Sequence, residues 1–315
     1  LIADRLGDEL SAQLEAAEDL AYVRDTEIVS VTGGWSAYKG RPLTGTEVRA
    51  WLDQVEKRSE QRILFKILQH IRFFSELQIR EYLQSAHRTV AKHLPVFTKR
   101  PRHDRRNDVL VTYVDGPAKS GASYAAKYAE DNGISNYCVK EMTNFAAHLA
   151  DHENQFDVTV SGIVIVDDIA ATGRALVENV QKFIQINKEC LDLRNPVIRV
   201  VVLAATPEGQ TKIRERFRSY ANMDIDLVVC EPLSRNHMAF SSESKVWDSG
   251  DQMNEARALC RRLGSALVKK APLGYGDLGV LVVFPDTCPN NALPLLYASG
   301  DLTFHWKPLF PRPVN

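Results

Sequence analysis

The sequence lacks most of the features that assign a chain to a class at once. No run of ~18 apolar residues occurs in it, which excludes a membrane-spanning helix as the organising element. No Cys-x-x-C pair occurs either. The five cysteines, Cys138, Cys190, Cys230, Cys260 and Cys288, stand 28 to 52 residues apart, which leaves no compact zinc knuckle or dithiol redox motif. An excess of charge of one sign is missing as well. Lys and Arg number 39 against 40 Asp and Glu over 315 residues, and 44% of the chain is apolar. Neither a disordered chain nor a uniformly basic nucleic-acid coat fits those proportions. Internal repeats and low-complexity tracts are absent. The odd cysteine count, with no visible secretion signal, predicts a reducing cytoplasm and five thiols that serve as small buried hydrophobes.

What is present divides near residue 107. Residues 1–107 read as a helical part that ends in a basic junction, and 108–315 as an α/β domain. The stretch from Ala3 to Tyr22 is helix-compatible. Thr46 caps a segment with Val48, Trp51, Leu52 and Val55 at helical spacing. A second segment puts Ile63, Ile67, Leu68, Ile71 and Phe74 on one face. A third starts near Ser75, with Leu77, Tyr82, Leu83 and Val90 inward. Between the first helices, Val31 to Pro42 is turn-rich. From 108 onward Val-rich runs alternate with helical patterns, which predicts βαβ units around a parallel sheet. The strands fall at 108–114, 137–139, 162–166, 198–204, 225–230 and 279–284. Helices fall at 123–131, 174–191, 207–220 and 251–268. Six of the 14 prolines lie from Pro285 onward, so the tail is expected to be irregular.

The chemistry concentrates after the run Ile163 to Val166. That apolar strand ends at two consecutive carboxylates, Asp167 and Asp168, followed by small residues, Ala170 to Gly173, and an amphipathic helix. Ligands of open α/β sheets bind at the carboxyl ends of the strands. Small residues let loop N–H groups turn toward a phosphate, and the helix N-terminus adds a favourable dipole. The carboxylates suit vicinal hydroxyls. A Walker B strand also ends in carboxylates, but its Gly-x-x-x-x-Gly-Lys-Ser/Thr partner loop is absent. A second strand, 109–114, leads into Gly116, Pro117, Ala118, Lys119, Ser120 and Gly121, small residues with one cation before a helix, again compatible with an anion nest.

Asp-Asp-Ile-Ala-Ala-Thr-Gly at 167–173 resembles the 5-phosphoribosyl-1-pyrophosphate (PRPP) signature of type I phosphoribosyltransferases. That resemblance implies a parallel sheet flanked by helices, with a helical N-terminal subdomain and an irregular Pro-rich C-terminal hood. It implies ribose hydroxyls on Asp167 and Asp168, and a 5-phosphate site lined by Ala171, Thr172, Gly173, Arg174 and Ala175. Two positions depart from the family: Ala175 stands where Thr or Ser is usual, and Arg174 where Gly or Lys is common. Residues 116–121 resemble the pyrophosphate loop of the same enzymes, with Lys119 toward the leaving group. Mg²⁺ is the implied cofactor, reached from Asp167 and Asp168 through ribose or water. A similar arrangement occurs in the phosphoribosyltransferase-like proteins of bacterial conflict systems, including those encoded beside retrons. The shared features include Gly116 to Gly121, Gly274-Tyr-Gly-Asp, Cys288-Pro-Asn-Asn-Ala-Leu-Pro and Trp306-Lys-Pro-Leu-Phe-Pro-Arg, over about residues 48–312. The resemblance implies a nucleotide-binding transferase effector of antiphage defence that releases pyrophosphate.

In that family a hood over the strand ends recognises the acceptor. Tyr275, Asp277, Asn290, Asn291 and, less directly, Trp306 are the candidates here, while Trp247 reads as core. Many relatives also close a flexible loop, but the corresponding stretch, 138–160, reads as a helix with Lys140 and solvated His148 and His152. Arg88, Lys92, Lys99, Arg100, Arg102, Arg105 and Arg106 fall within 19 residues, offset by Asp104 alone. This is either a solvated linker or a contact for nucleic acid or a reverse transcriptase–nucleoprotein partner. Two functions follow: an active phosphoribosyltransferase, or a non-catalytic PRPP-fold module that senses nucleotides or scaffolds a nucleoprotein complex.

Overall fold

The computed structural model of the chain describes residues 21–97, 105–114 and 120–312. The helix expected from Ala3 lies, up to residue 20, outside the described residues. The chain divides into two compact units, Glu76–Ser234 and a second formed by Leu1–Ser75 with Arg235–Asn315.

The unit Glu76–Ser234 runs α1 (Glu76–Ala91), β1 (Val109–Tyr113), α2 (Ser120–Asp131), α3 (Phe145–Phe156), β2 (Gly162–Ala170), α4 (Arg174–Ile186), α5 (Lys188–Arg194), β3 (Val197–Ala205), α6 (Pro207–Arg218) and β4 (Ile225–Pro232). All four strands are parallel and stand in the order β1-β2-β3-β4. Neighbouring parallel strands need a crossover, and helices supply each one. The middle of the sheet is wholly apolar and buried, from Ile163 to Val166 and Val200 to Ala205, as befits a sheet covered on both faces. α4 covers it with Leu176, Val180, Phe183 and Ile184. α2 lies hard against β1: a Cβ at Gly121 would stand 2.9 Å from the Val114 carbonyl oxygen. The expected parallel sheet flanked by helices is therefore present.

Several local expectations change. Residues 137–139 form no strand of the sheet. Asn136–Cys138 is a 3-10 turn, and a single bridge joins Val139 to Val111. The predicted helix 174–191 breaks at Asn187, whose side-chain amide donates to the Phe183 carbonyl at 2.8 Å. On α1, Leu83 and Val90 are buried as expected, but Leu77 faces outward at 65% exposure.

The second unit holds helices at Asp25–Thr32, Gly45–Leu52, Arg58–Gln69 and Gly250–Leu267. Thr44, not Thr46, caps Gly45–Leu52. Its hydroxyl accepts the Glu47 N–H at 3.2 Å, and Glu47 accepts the Thr44 N–H at 2.9 Å, a reciprocal capping box. Helix Arg58–Gln69 ends before Phe74, which instead follows a short strand and stacks on Phe284 with centroids 5.0 Å apart. The predicted strand 279–284 shrinks to Val282–Val283 and pairs with Arg72–Phe73, apart from the four-stranded sheet. The Pro-rich tail is irregular apart from Pro294–Tyr297 and closes on the first helices: Trp51 and Trp306 both donate indole N–H to the Leu295 carbonyl, at 3.2 and 2.8 Å. Trp247 is core, its N–H on the Ala239 carbonyl. The units thus group the tail with the first helices and α1 with the sheet, whereas the sequence divides at 107.

All five cysteines are free; Cys138, Cys260 and Cys288 are buried, and Cys190 and Cys230 half-buried. Burial pushes the thiols of Cys138, Cys230 and Cys288 up to about 12, which leaves them protonated and unreactive. No helix among the described residues is long and apolar enough to cross a membrane.

Candidate active site

β2 runs four residues past its expected end. Asp167 pairs with Val202, Ile169 with Ala204 and Ala170 with Ala205, so the two carboxylates belong to the strand itself. Both are half-buried. Backbone donors hold them in place: Asp167 Oδ1 accepts the Asp168 N–H at 3.0 Å, and Asp168 Oδ1 accepts the Ile169 N–H at 2.7 Å. Asp168 Oδ2 accepts the hydroxyl of Ser120 at 2.5 Å. Ser120 is the first residue of α2, so this bond ties the second signature carboxylate to the segment expected to bind pyrophosphate. Within that segment Gly116, Pro117, Ala118 and Lys119 lie outside the described residues.

Beyond the strand, Ala171 is buried, Thr172 half-buried, and Gly173 takes φ +67° as the N-cap of α4. Only glycine adopts that conformation freely. A Cβ at Gly173 would also stand 2.8 Å from the Gly209 carbonyl oxygen, and one at Gly209 would stand 2.0 Å from that of Ala170. The loop and the start of α6 therefore pack backbone to backbone. Arg174 and Ala175 are exposed in the first turn of α4, where helix N–H groups have no intrahelical acceptor. Thr206 and Gly209 escaped the sequence reading. Thr-Pro-x-Gly after a strand announces a helix start, but nothing in linear spacing ties it to residues 170–173.

The described residues contain no group of three or more His, Cys, Asp or Glu side chains able to hold a metal. Asp167 and Asp168 remain as a pair of hard oxygen donors.

The acceptor candidates belong to the other unit. Asn291 is buried and donates its amide to the Tyr275 carbonyl at 2.8 Å, and the Tyr275 N–H donates to the Asn290 carbonyl at 2.8 Å. A Cβ at Gly274 would meet the Asn291 carbonyl at 2.4 Å. Tyr275, Asp277 and Asn290 are exposed around this turn. The side-chain N–H donors of Asn291 and Trp306 are thus engaged by backbone carbonyls.

Two expectations about charge and solvation are overturned. His152 on α3 is fully buried, not solvated: its Nε2 lies 2.7 Å from the Asn107 carbonyl, and Cys138 Sγ is 3.9 Å away. Burial holds it below the ordinary histidine value, against the Asn107 hydrogen bond. His148 is half-exposed. Arg106 is not a free cation of the basic stretch. It forks onto Asp108 at 2.7 and 2.9 Å and donates to the Pro95 carbonyl at 2.9 Å. Arg88, Lys92 and Arg105 are exposed, while Lys99, Arg100 and Arg102 lie outside the described residues.

A family model described as PRTase-CE matches residues 48–312. Among solved structures, that of the AQ2163 protein from Aquifex aeolicus is 13% identical and covers 66% of this chain and 92% of that one. Its TM-score is 0.30, a likeness too slight to bear on the site. No curated protein matches.

Proposed function

The chain belongs to the PRTase-CE family, a phosphoribosyltransferase-like family, and on that premise we propose that it binds PRPP and transfers the phosphoribosyl group with release of pyrophosphate. The observation that carries this reading is the bond between Ser120, the first residue of α2, and Asp168, near the carboxyl end of β2, the strand beside β1. Ribose hydroxyls donate to Asp167 and Asp168, and the 5-phosphate sits over residues 171–175. Pyrophosphate lies along 116–121, with Lys119 as its cation. The C1–O bond breaks by an oxocarbenium-like route, so the protein's main work is electrostatic. Asp167 and Asp168 would hold magnesium through ribose or water, the other ligands coming from substrate oxygens. When bound, the ion supplies charge neutralisation for the leaving pyrophosphate. We place the activity in antiphage defence, on the likeness to conflict-system proteins. Exposed Arg88, Lys92 and Arg105, with Lys99, Arg100 and Arg102, are the contact for a nucleic acid or nucleoprotein.

The test is pyrophosphate release from PRPP and magnesium by the purified chain, over a panel of base, nucleoside and nucleotide acceptors. Release that vanishes in Asp167→Ala with Asp168→Ala supports the transferase. Binding of PRPP with no release from any acceptor favours the second reading, a nucleotide-sensing or scaffolding module. The exposed Ala175, without the family's hydroxyl, is the observation on its side.

A further inference from the structure

The turn from β3 into α6 holds the signature loop from behind. Thr206 is wholly buried at the N-cap of α6. Its hydroxyl accepts the Gly209 N–H at 3.0 Å and donates to the Ala171 carbonyl at 2.5 Å. Its backbone N–H donates to the Ala170 carbonyl at 3.2 Å. Two successive carbonyls are thus pinned toward β3 and α6.

No cis peptide occurs here, and in a planar trans peptide the C=O and the next N–H point in opposite directions. The N–H groups of Ala171 and Thr172 are therefore turned away from α6, toward the β1 side, where Ser120 meets Asp168. Neither has an acceptor among the described residues, although Ala171 is only 2% exposed. Buried N–H groups are almost always paired, so two aimed the same way suit an anion. Gly209 keeps the arrangement possible, because any Cβ there would push the Ala170 carbonyl aside.

We infer that Thr206 is a positioning residue for the phosphate site: its hydroxyl fixes the Ala171–Thr172 peptide so that the loop N–H groups face the ligand. Thr206 does not touch the ligand itself. The inference rests on the phosphate reading of residues 171–175 given above, and it adds a residue outside the signature to that site.

Titration calorimetry on the full chain with two probes, ribose 5-phosphate and inorganic pyrophosphate, tests it. Thr206→Val keeps the side-chain shape and removes the hydroxyl. It should weaken ribose 5-phosphate about tenfold, the worth of one or two oriented donors, and leave pyrophosphate within about twofold. Thr206→Ser keeps the hydroxyl and should bind ribose 5-phosphate like the wild type. Equal ribose 5-phosphate affinity in the wild type and Thr206→Val overturns the inference and leaves the phosphate reading standing. A wild type that does not bind ribose 5-phosphate overturns both. Equal weakening of the two probes, or a Ser variant as weak as Val, reduces Thr206 to a structural cap and also overturns it. Should Thr206→Val not fold, Thr206→Asp takes its place with the same readouts. A carboxylate still accepts the Gly209 N–H at an N-cap but has no proton for the Ala171 carbonyl.

Discussion

The two ends of the four-stranded sheet treat their polar residues in opposite ways. At the amino end, charges are closed on partners. Arg106 forks onto Asp108, which also accepts the Ser161 hydroxyl at 2.7 Å. Arg194 binds Glu153 through contacts of 2.6 and 2.9 Å, and Glu153 also accepts the Val160 N–H. Arg199, buried on β3, pairs with Asp224 at 2.8 Å. At the carboxyl end, Asp167 and Asp168 are bonded to neighbouring hydroxyl and backbone donors, and the N–H groups of Ala171 and Thr172 meet no protein acceptor among the described residues. Carboxylates thus pair with arginines at one end and accept from hydroxyl and backbone donors at the other. Substitutions at the amino end should therefore cost stability, and those at the carboxyl end ligand binding.

The largest expected effect is on binding. Asp167→Ala with Asp168→Ala should weaken PRPP by about a hundredfold or more, since each lost charge-assisted hydrogen bond is worth roughly 1.5–3 kcal/mol. The melting temperature should move little. Calorimetry and thermal unfolding on the same samples decide it, and a collapsed melting temperature with intact binding would reverse the comparison.

Next comes the amino end. Arg194→Ala strands Glu153, whose carboxylate Arg194 and Val160 hold below its usual range although burial pushes the other way. The pair is mostly covered, with side chains 18% and 15% exposed, so its cost falls between that of buried and surface bridges. We expect about 2 kcal/mol and a melting temperature roughly 4–8 °C lower. PRPP affinity at room temperature should stay unchanged. A matching loss of affinity would mean that the two ends are coupled.

A smaller effect is read through pH. Burial keeps His152 neutral and below its ordinary value, and pushes His87 down to about 4. Both groups take up protons more readily when the chain is unfolded. Stability is therefore complete above about 6.5 and is lost as pH falls toward the folded values. His152→Gln should flatten the denaturation midpoint between about pH 6.5 and 5 by up to one proton's worth, about 1.4 kcal/mol per pH unit. An unchanged slope would show that His152 does not titrate with folding.

The sequence announces some of this contrast and hides the rest, for physical reasons. β1 and β3 are legible because strands buried on both faces read as continuous apolar, Val-rich runs. In β4 only Leu227 is fully buried, yet Leu227 to Val229 keeps enough of that pattern to be read. The signature is legible because ligand chemistry dictates residue types in a short window. The closed pairs are not. Arg106 looks like one more member of a basic run, and only the fold brings Asp108 and Pro95 around its guanidinium. His152 looks like any helix residue until α3 turns it onto Asn107. Thr206 and Gly209 lie over 30 residues beyond the loop that they support, and their role is a backbone contact. The strand at 279–284 is real in pattern, but its partner is Arg72–Phe73, because pairing partners are not written in periodicity.

The smallest expected effect probes the open end where it departs from its family. Ala175 is exposed in the first turn of α4, so a larger side chain meets open space there. Ala175→Thr adds a hydroxyl where a 5-phosphate would lie, worth about 1 kcal/mol to binding, while the roughly 0.5 kcal/mol cost of a β-branched residue in a helix falls on folding stability. Ribose 5-phosphate should bind about fivefold more tightly, with pyrophosphate unchanged and the melting temperature lower by about 1–2 °C. If pyrophosphate tightens instead, the two loops have exchanged roles and the leaving group lies over residues 171–175. If neither ligand responds, the backbone N–H groups of Ala171 and Thr172 already saturate the phosphate. The carboxyl end would then depend on Thr206 behind the loop more than on the side chains in front of it.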